Sequence, residues 1–533
     1  MKFFTNAAHN PENPAIVVDG EVHSYGQLAS HAKAIAATIN QSSNSESTFG
    51  TFLAYRSPNA YASILGILAT GKAYVPLSPK FPLDRNVHML NSVESDFLIV
   101  SDECMEMARQ ILEKVARKLV VIVAESECDQ LAVDFPMHNY VALPSTQSEP
   151  SASESAGVDA LAIVSASDYA YALFTSGTTG QPKGIAISHG NANSYVDYTV
   201  DTYGFTSDDR FSQTFDLTFD LSVHDMFTCW ASGGSLYVVP EVELFGPMKF
   251  IQRNELTVWF SAPSTAMFMS KFRMLKPDAF PTLRYSLFCG EALPATIAQE
   301  WQTAAKSSAV DNLYGPTEAT IAITSYRWQD HSIDECENSI VPIGWIYTDQ
   351  EFLVVDEQMV PVPPSQSGEL CVSGSQISDG YLSNPQKTEQ QFVKIAGQGD
   401  KIWYRTGDRV RCNSDRCIFF LGRVDNQIQI RGFRVELLEV EEAVREASGS
   451  EMVVAIPWPV EDGIALGIAV FIAGAEEADE SAICSECKSR LPGYMAPDTY
   501  HFIDRIPLNF NGKFDRNALT KLLSSEANVE STE

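Results

Sequence analysis

Residues Thr175-Ser-Gly-Thr-Thr-Gly-Gln-Pro-Lys-Gly184 gather three glycines, four hydroxyls and one lysine within ten positions. Glycines let backbone N–H groups approach a phosphate closely, and hydroxyls bind its oxygens. Lys183 adds positive charge. Thr175, Ser176, Gly177, Thr178, Thr179, Gly180 and Lys183 are therefore candidate phosphate ligands. This is not the Gly-Lys-Ser/Thr loop that opens a helix: Pro182 precedes Lys183, and Ile185-Ala-Ile-Ser188 reads as a strand. On the loop alone, a Gly/Ser hairpin with no ligand is the plain alternative.

Further motifs follow in order: Tyr314-Gly-Pro-Thr-Glu318, Tyr404-Arg-Thr-Gly-Asp408, Gly422-Arg-Val-Asp-Asn-Gln427 with Arg431-Gly-Phe-Arg434, and Asn511-Gly-Lys513. Singly, each reads as turn punctuation or a solvated charge. Together they resemble the adenylate-forming enzymes, in particular stand-alone amino acid–carrier protein ligases and the adenylation domains of nonribosomal peptide synthetases. The resemblance runs from about Phe4 to Leu519.

It implies an AMP-forming ligase that uses ATP and Mg²⁺ to make an acyl adenylate, then passes the acyl group to a phosphopantetheine thiol. It places the 175–183 loop on the β- and γ-phosphates. Gly290, Glu291, Ala292 and Asn312 fall where the family binds adenine, with Tyr314 and Gly315 beside the base and Thr317 near the α-phosphate. Glu318 matches the Mg²⁺ carboxylate, Asp408 the ribose acid, Arg423 a second ribose contact and Lys513 the catalytic lysine. Asp425 marks the hinge and Gly432 the pantetheine channel. Gln429 stands where the family usually has lysine.

Phe215-Asp-Leu-Thr-Phe-Asp-Leu-Ser-Val-His-Asp-Met-Phe227 carries the matching substrate motif. Asp220 falls where amino-acid-activating members pair a carboxylate with the substrate ammonium; capping a helix that starts near Leu221 is its plain role. A buried ammonium is costly unless paired. The other matched pocket positions are Leu221, His224, Phe260, Leu287, Cys289, Leu313, Ile321 and Ala322. Bulky Phe260 and His224 leave a small, mostly apolar space, so glycine is expected, with D-alanine or proline as alternatives. The Phe260 match could belong to its neighbour, and His224 is equally a packed wall residue. An acyl-CoA or aryl ligase of the same superfamily, and a nucleotide sensor without turnover, are the rival functions.

These residues need an α/β scaffold. Asp168–Phe174, Tyr74–Leu77, Phe97–Val100, Gly368–Gly374 and Ile418–Leu421 read as strands, and Ala62–Leu68 and Met105–Arg117 as helices. The expected architecture is a large N-terminal multi-sheet α/β domain of the acyl-adenylate synthetase type, residues 1–421, with a small mobile C-terminal α+β domain. A hinge at 422–426 joins it to a lid at 427–523, and a flexible tail at 524–533 follows. Val435–Ala447 reads as a helix with its acids outside, and Met452–Ile456 and Ile464–Ile472 as strands. Residues 144–157 are rich in Ser, Pro and Glu and read as a surface loop or linker.

The 533 residues carry 37 basic and 68 acidic side chains, a net charge of −31. That argues against nucleic acid and against an anionic membrane. No stretch approaches the roughly 20 apolar residues that span a bilayer, and the N-terminus lacks the apolar core of a signal peptide. A cytoplasmic enzyme is expected. The ten cysteines are scattered; Cys484/Cys487 and Cys412/Cys417 lack the further ligands a zinc site needs. Only twenty residues follow Lys513, so a separate carrier protein is the expected partner.

Overall fold

The structure, a computed structural model, describes residues 2–43, 46–143, 161–177, 182–329, 331–425, 427–474, 479–508 and 514–530. Strand–helix alternation in the first half builds two large, mainly parallel sheets, because right-handed crossovers lay helices on their faces. One has seven strands and ends in the antiparallel hairpin Tyr169–Thr175/Lys183–Ser188. The other has nine strands, with Arg210–Gln213, Val258–Ser261, Tyr285–Phe288 and Ala309–Tyr314 at its centre. A five-stranded sheet holds Trp403–Cys412 against Ile418–Arg423. The small domain adds a four-stranded and a three-stranded sheet. The fold is thus mixed α/β, with a large N-terminal and a smaller C-terminal domain.

Three expectations change. The segment Ile464–Ile472 is two strands, Ile464–Ala465 and Ile468–Ala473, which enter different sheets. Gly467 makes the switch: a Cβ there would sit 2.3 Å from Asp498 Oδ2. Val435 belongs to the strand Phe433–Glu436, and the helix begins at Leu437. Its acids are not all outside; Glu439 and Glu441 are buried. Glu441 is stabilised by Arg516 at 2.6 Å and Arg445 at 3.0 Å. The last helix, Arg516–Glu530, buries Leu519 and Leu523, which lie one turn apart. Residues 144–157, Lys513, the Thr178-Thr179-Gly180 stretch and Asn426 of the hinge lie outside the described residues.

No described helix is long and apolar enough to cross a membrane. Among the described residues no cluster of three or more His, Cys, Asp or Glu side chains could hold a metal ion.

Candidate active site

A cavity of about 410 Å³ opens where the strand ends of the large domain meet the hairpin Gln427–Ile430/Phe433–Glu436 of the small one. Its wall includes Thr175, Ser176, Asp220, Gly290, Asn312, Tyr314, Asp408 and Arg423. Residues far apart in sequence converge here because parallel strands deliver their following loops to one edge.

At one end, Asp408 accepts from Arg423 Nη1 at 2.5 Å and from the Tyr314 hydroxyl. Burial pushes the Asp408 carboxyl up, and Arg423 opposes the shift. Arg423 also grips Asp425 at 2.6 and 2.7 Å. That contact requires Gly407, at φ +72°, because a Cβ would lie 2.6 Å from Arg423 Nη2. Asn312 donates to the Val341 and Pro342 carbonyls at 3.3 and 3.0 Å, while its buried Oδ1 has no described protein partner. The buried Thr175 hydroxyl is likewise unpartnered. A vacant acceptor for an amine and a vacant hydroxyl for an oxyanion fit an adenine nucleotide.

At the other end, Asp220 precedes the helix Leu221–Ser232 but makes no side-chain cap. Capping is therefore not its role. Burial pushes its carboxyl up to about 7; a hydrogen bond from Thr317 opposes this and the Glu318 charge adds to it. It forms no ion pair with a described residue. Of the other pocket positions, Leu221, Cys289 and Leu313 line the cavity. His224, Phe260, Leu287, Ile321 and Ala322 pack behind it in the core. Strand alternation settles the side of Phe260: Trp259 stacks 6.1 Å from Trp301 in the opposite core, while Phe260 lies 4.2 Å from the His224 ring. His224 Nδ1 meets the Tyr195 hydroxyl at 2.7 Å, and burial pushes its pKa down to about 3, so it is a neutral wall residue. Burial, then Asp220, pushes the Cys289 thiol well above its ordinary range.

Glu318 is fully buried and its pKa is held at about 2; burial opposes ionisation, but Arg434 and Lys183 outweigh it. Arg434 reaches it at 3.1 Å and the Tyr381 hydroxyl at 2.7 Å. In this orientation the carboxylate is already committed to a guanidinium, so the site as arranged does not fit Mg²⁺. Glu291 lines the same cavity beside Gly290 and Ala292. Its carboxylate accepts from Gly432 N–H at 2.8 Å and Ser264 N–H at 2.9 Å, clasping the two domains. Gly432, at φ +81°, would place a Cβ 3.2 Å from Ala262, and a Cβ on Gly290 would lie 3.3 Å from the Gly432 Cα. Gln429 lines the same cavity.

Sequence reasoning missed several supporting residues. Gln376 is fully buried and donates to the Ala319, Thr320 and Ala322 carbonyls at 3.2, 3.3 and 2.8 Å. It thereby holds Thr320 and Ile321 at φ +57° and +73°, which is strained for a β-branched residue. Nothing in its local sequence marks it. Arg85, Tyr381, Glu436 and Glu439 were missed for the same reason: each reads as an ordinary surface or core residue until the domains meet.

A family profile described as AMP-binding enzyme matches residues 3–382. The chain belongs to the AMP-binding enzyme family, and it is an AMP-forming ligase. It is similar to the D-alanine–D-alanyl carrier protein ligase of Bacillus licheniformis, 29% identical over 96% of this chain and 97% of that one. The ligase of the same name from Lactiplantibacillus plantarum is 30% identical over 98% of both chains. The crystal structure of the Vibrio cholerae adenylation domain AlmE in complex with glycyl-adenosine-5'-phosphate has a TM-score of 0.88. It is 31% identical and covers 98% of this chain and 97% of that one.

Proposed function

We propose that the chain activates glycine with ATP and transfers it to the phosphopantetheine thiol of a separate carrier protein. The observation that carries this reading is Asp220, a buried carboxylate at the cavity wall with no ion-pair partner among the described residues. An α-ammonium supplies the missing charge, and an amine-free acid does not. In the first step a glycine carboxylate oxygen bonds to the α-phosphorus as the bond to the β-phosphate oxygen breaks, releasing pyrophosphate. In the second the thiolate sulfur bonds to the acyl carbon and AMP leaves.

This chain's residues would orient the reactants. Asp220 holds the ammonium, Asn312 and Tyr314 the base, Asp408 and Arg423 the ribose. Thr317 lies near the α-phosphate, the 175–183 loop takes the outer phosphates, and Lys513 neutralises charge between carboxylate and α-phosphate. Glu318 would take Mg²⁺, and the ion would neutralise phosphate charge, only in an orientation that moves Arg434 off this carboxylate.

Phe260 and His224 close the space beyond Asp220, which favours glycine; the relatives named for D-alanine favour that amino acid as the second reading. Amino-acid-dependent ATP–pyrophosphate exchange across a panel tests both. Exchange with no small amino acid would remove the reading, and exchange with amine-free acids would replace it by an acyl-CoA or aryl ligase. Phe260→Ala should widen the space. The exchange rate with valine relative to glycine should rise by about tenfold, since each methylene in such a pocket is worth roughly 1–3 kcal/mol. Unchanged selectivity would mean that Phe260 does not border the side chain.

Gly432 would line the thiol's path. Gly432→Val puts a branched side chain at positive φ and against Ala262. Transfer to the carrier should slow by about tenfold or more, at roughly 1.4 kcal/mol per decade, while exchange stays within about twofold. Equal losses in both half-reactions would contradict this placement.

A further inference from the structure

In the present orientation the small domain occupies the groups that the 175–183 hairpin would offer to an anion. Glu439 Oε2 accepts from Gly177 N–H at 3.1 Å. Glu436 Oε1 lies 3.6 Å from Lys183 Nζ, with both side chains buried. Ser176 Oγ donates to the Arg434 carbonyl at 2.8 Å and accepts from Glu436 N–H at 3.2 Å. From the small domain's strand Phe433–Glu436, the Arg434 side chain covers Glu318. Glu439 is anchored from the large domain as well, by Arg85 at 3.1 Å.

A buried cation left alone is costly. When the hairpin is empty, Lys183 has the Glu318 charge near it but no described large-domain carboxylate at ion-pair distance, and Gly177 N–H needs an acceptor. The small domain brings one carboxylate to each. The same donors cannot serve a polyphosphate at the same time.

We infer that Glu436 and Glu439 are positioning residues for the transfer half-reaction: their carboxylates stand in for pyrophosphate at Lys183 and at the Gly177 N–H and hold the small domain with Gly432 at Ala262. This rests on the reading of that hairpin as the phosphate loop. Closure in this orientation and retention of pyrophosphate are then mutually exclusive, so departure of the leaving group releases the donors that fix the second geometry. The competition also runs backwards. Added pyrophosphate must displace two carboxylates to bind, and its apparent affinity is lowered by the fraction of molecules that are closed.

Titration calorimetry with inorganic pyrophosphate on the full chain tests this, using the native protein, Glu436→Gln and Glu439→Gln. Each variant should bind pyrophosphate at least about fivefold more tightly than the native protein. That change corresponds to a closed orientation holding about four fifths of native molecules. A merely structural role predicts weaker binding, since damage to the hairpin does not create affinity. Glu439→Gln leaves Arg85 without its buried partner, so Glu436→Gln carries the test if that variant melts early. Folded variants with unchanged or weaker affinity overturn the inference alone. A native chain that binds no pyrophosphate overturns the phosphate-loop reading and the inference with it.

Discussion

Asp220→Asn is expected to raise the KM for glycine roughly 10²- to 10³-fold in ATP–pyrophosphate exchange, with ATP binding retained. Removing one partner of a buried charge pair costs about 2–5 kcal/mol, because the ammonium is then desolvated without compensation. The amide keeps the shape of the carboxylate, so the loss reports charge. The pH dependence has a definite sign. Burial raises the Asp220 carboxyl to about 7, and only its ionised form would pair with the ammonium. Above that value KM should be flat. Below it the carboxyl is protonated before substrate arrives, and KM should climb about tenfold per pH unit. Asp220→Asn should abolish this limb. A native profile flat from pH 5 to 8 would separate Asp220 from the ammonium, as would an Asp220→Asn enzyme that retains native KM.

Lys513→Ala should lower exchange by about 10²- to 10³-fold, the cost of removing one preorganised charge from a developing oxyanion. Its signature differs from that of Asp220: kcat falls while the glycine KM changes little, because the lysine would act on the transition state rather than on the bound amino acid. Lys513 follows Asn511-Gly512, a pair whose sequence reads as a turn, so the melting temperature should not move. Activity surviving within about tenfold would remove the assignment.

Local pattern made much of the scaffold legible. Phe97–Val100 and Gly368–Gly374 were read with their observed limits, because the first is a continuous apolar run and the second carries Leu370-Cys-Val372 between two glycines. The error at Ile464–Ile472 arose where one apolar run feeds two sheets, which no local period records. At the site, order and spacing of motifs brought Asp220, Asn312, Tyr314, Asp408 and Arg423 to one cavity. What could not be read was commitment: that Glu291 clasps Gly432, that Arg434 covers Glu318, and that Glu439 is buried on an acidic helix. Those facts depend on which surfaces of two domains meet, a relation absent from either segment alone.

Cys289 borders the same cavity as Asp220, and burial keeps its thiol protonated across the neutral range. A mixed anhydride generated there would be the most electrophilic species in the protein, within the reach of a resident sulfur. Because thiols attack as thiolates, that sulfur is inert towards it. The enzyme is thereby spared self-acylation, and the activated aminoacyl group survives until a foreign nucleophile arrives.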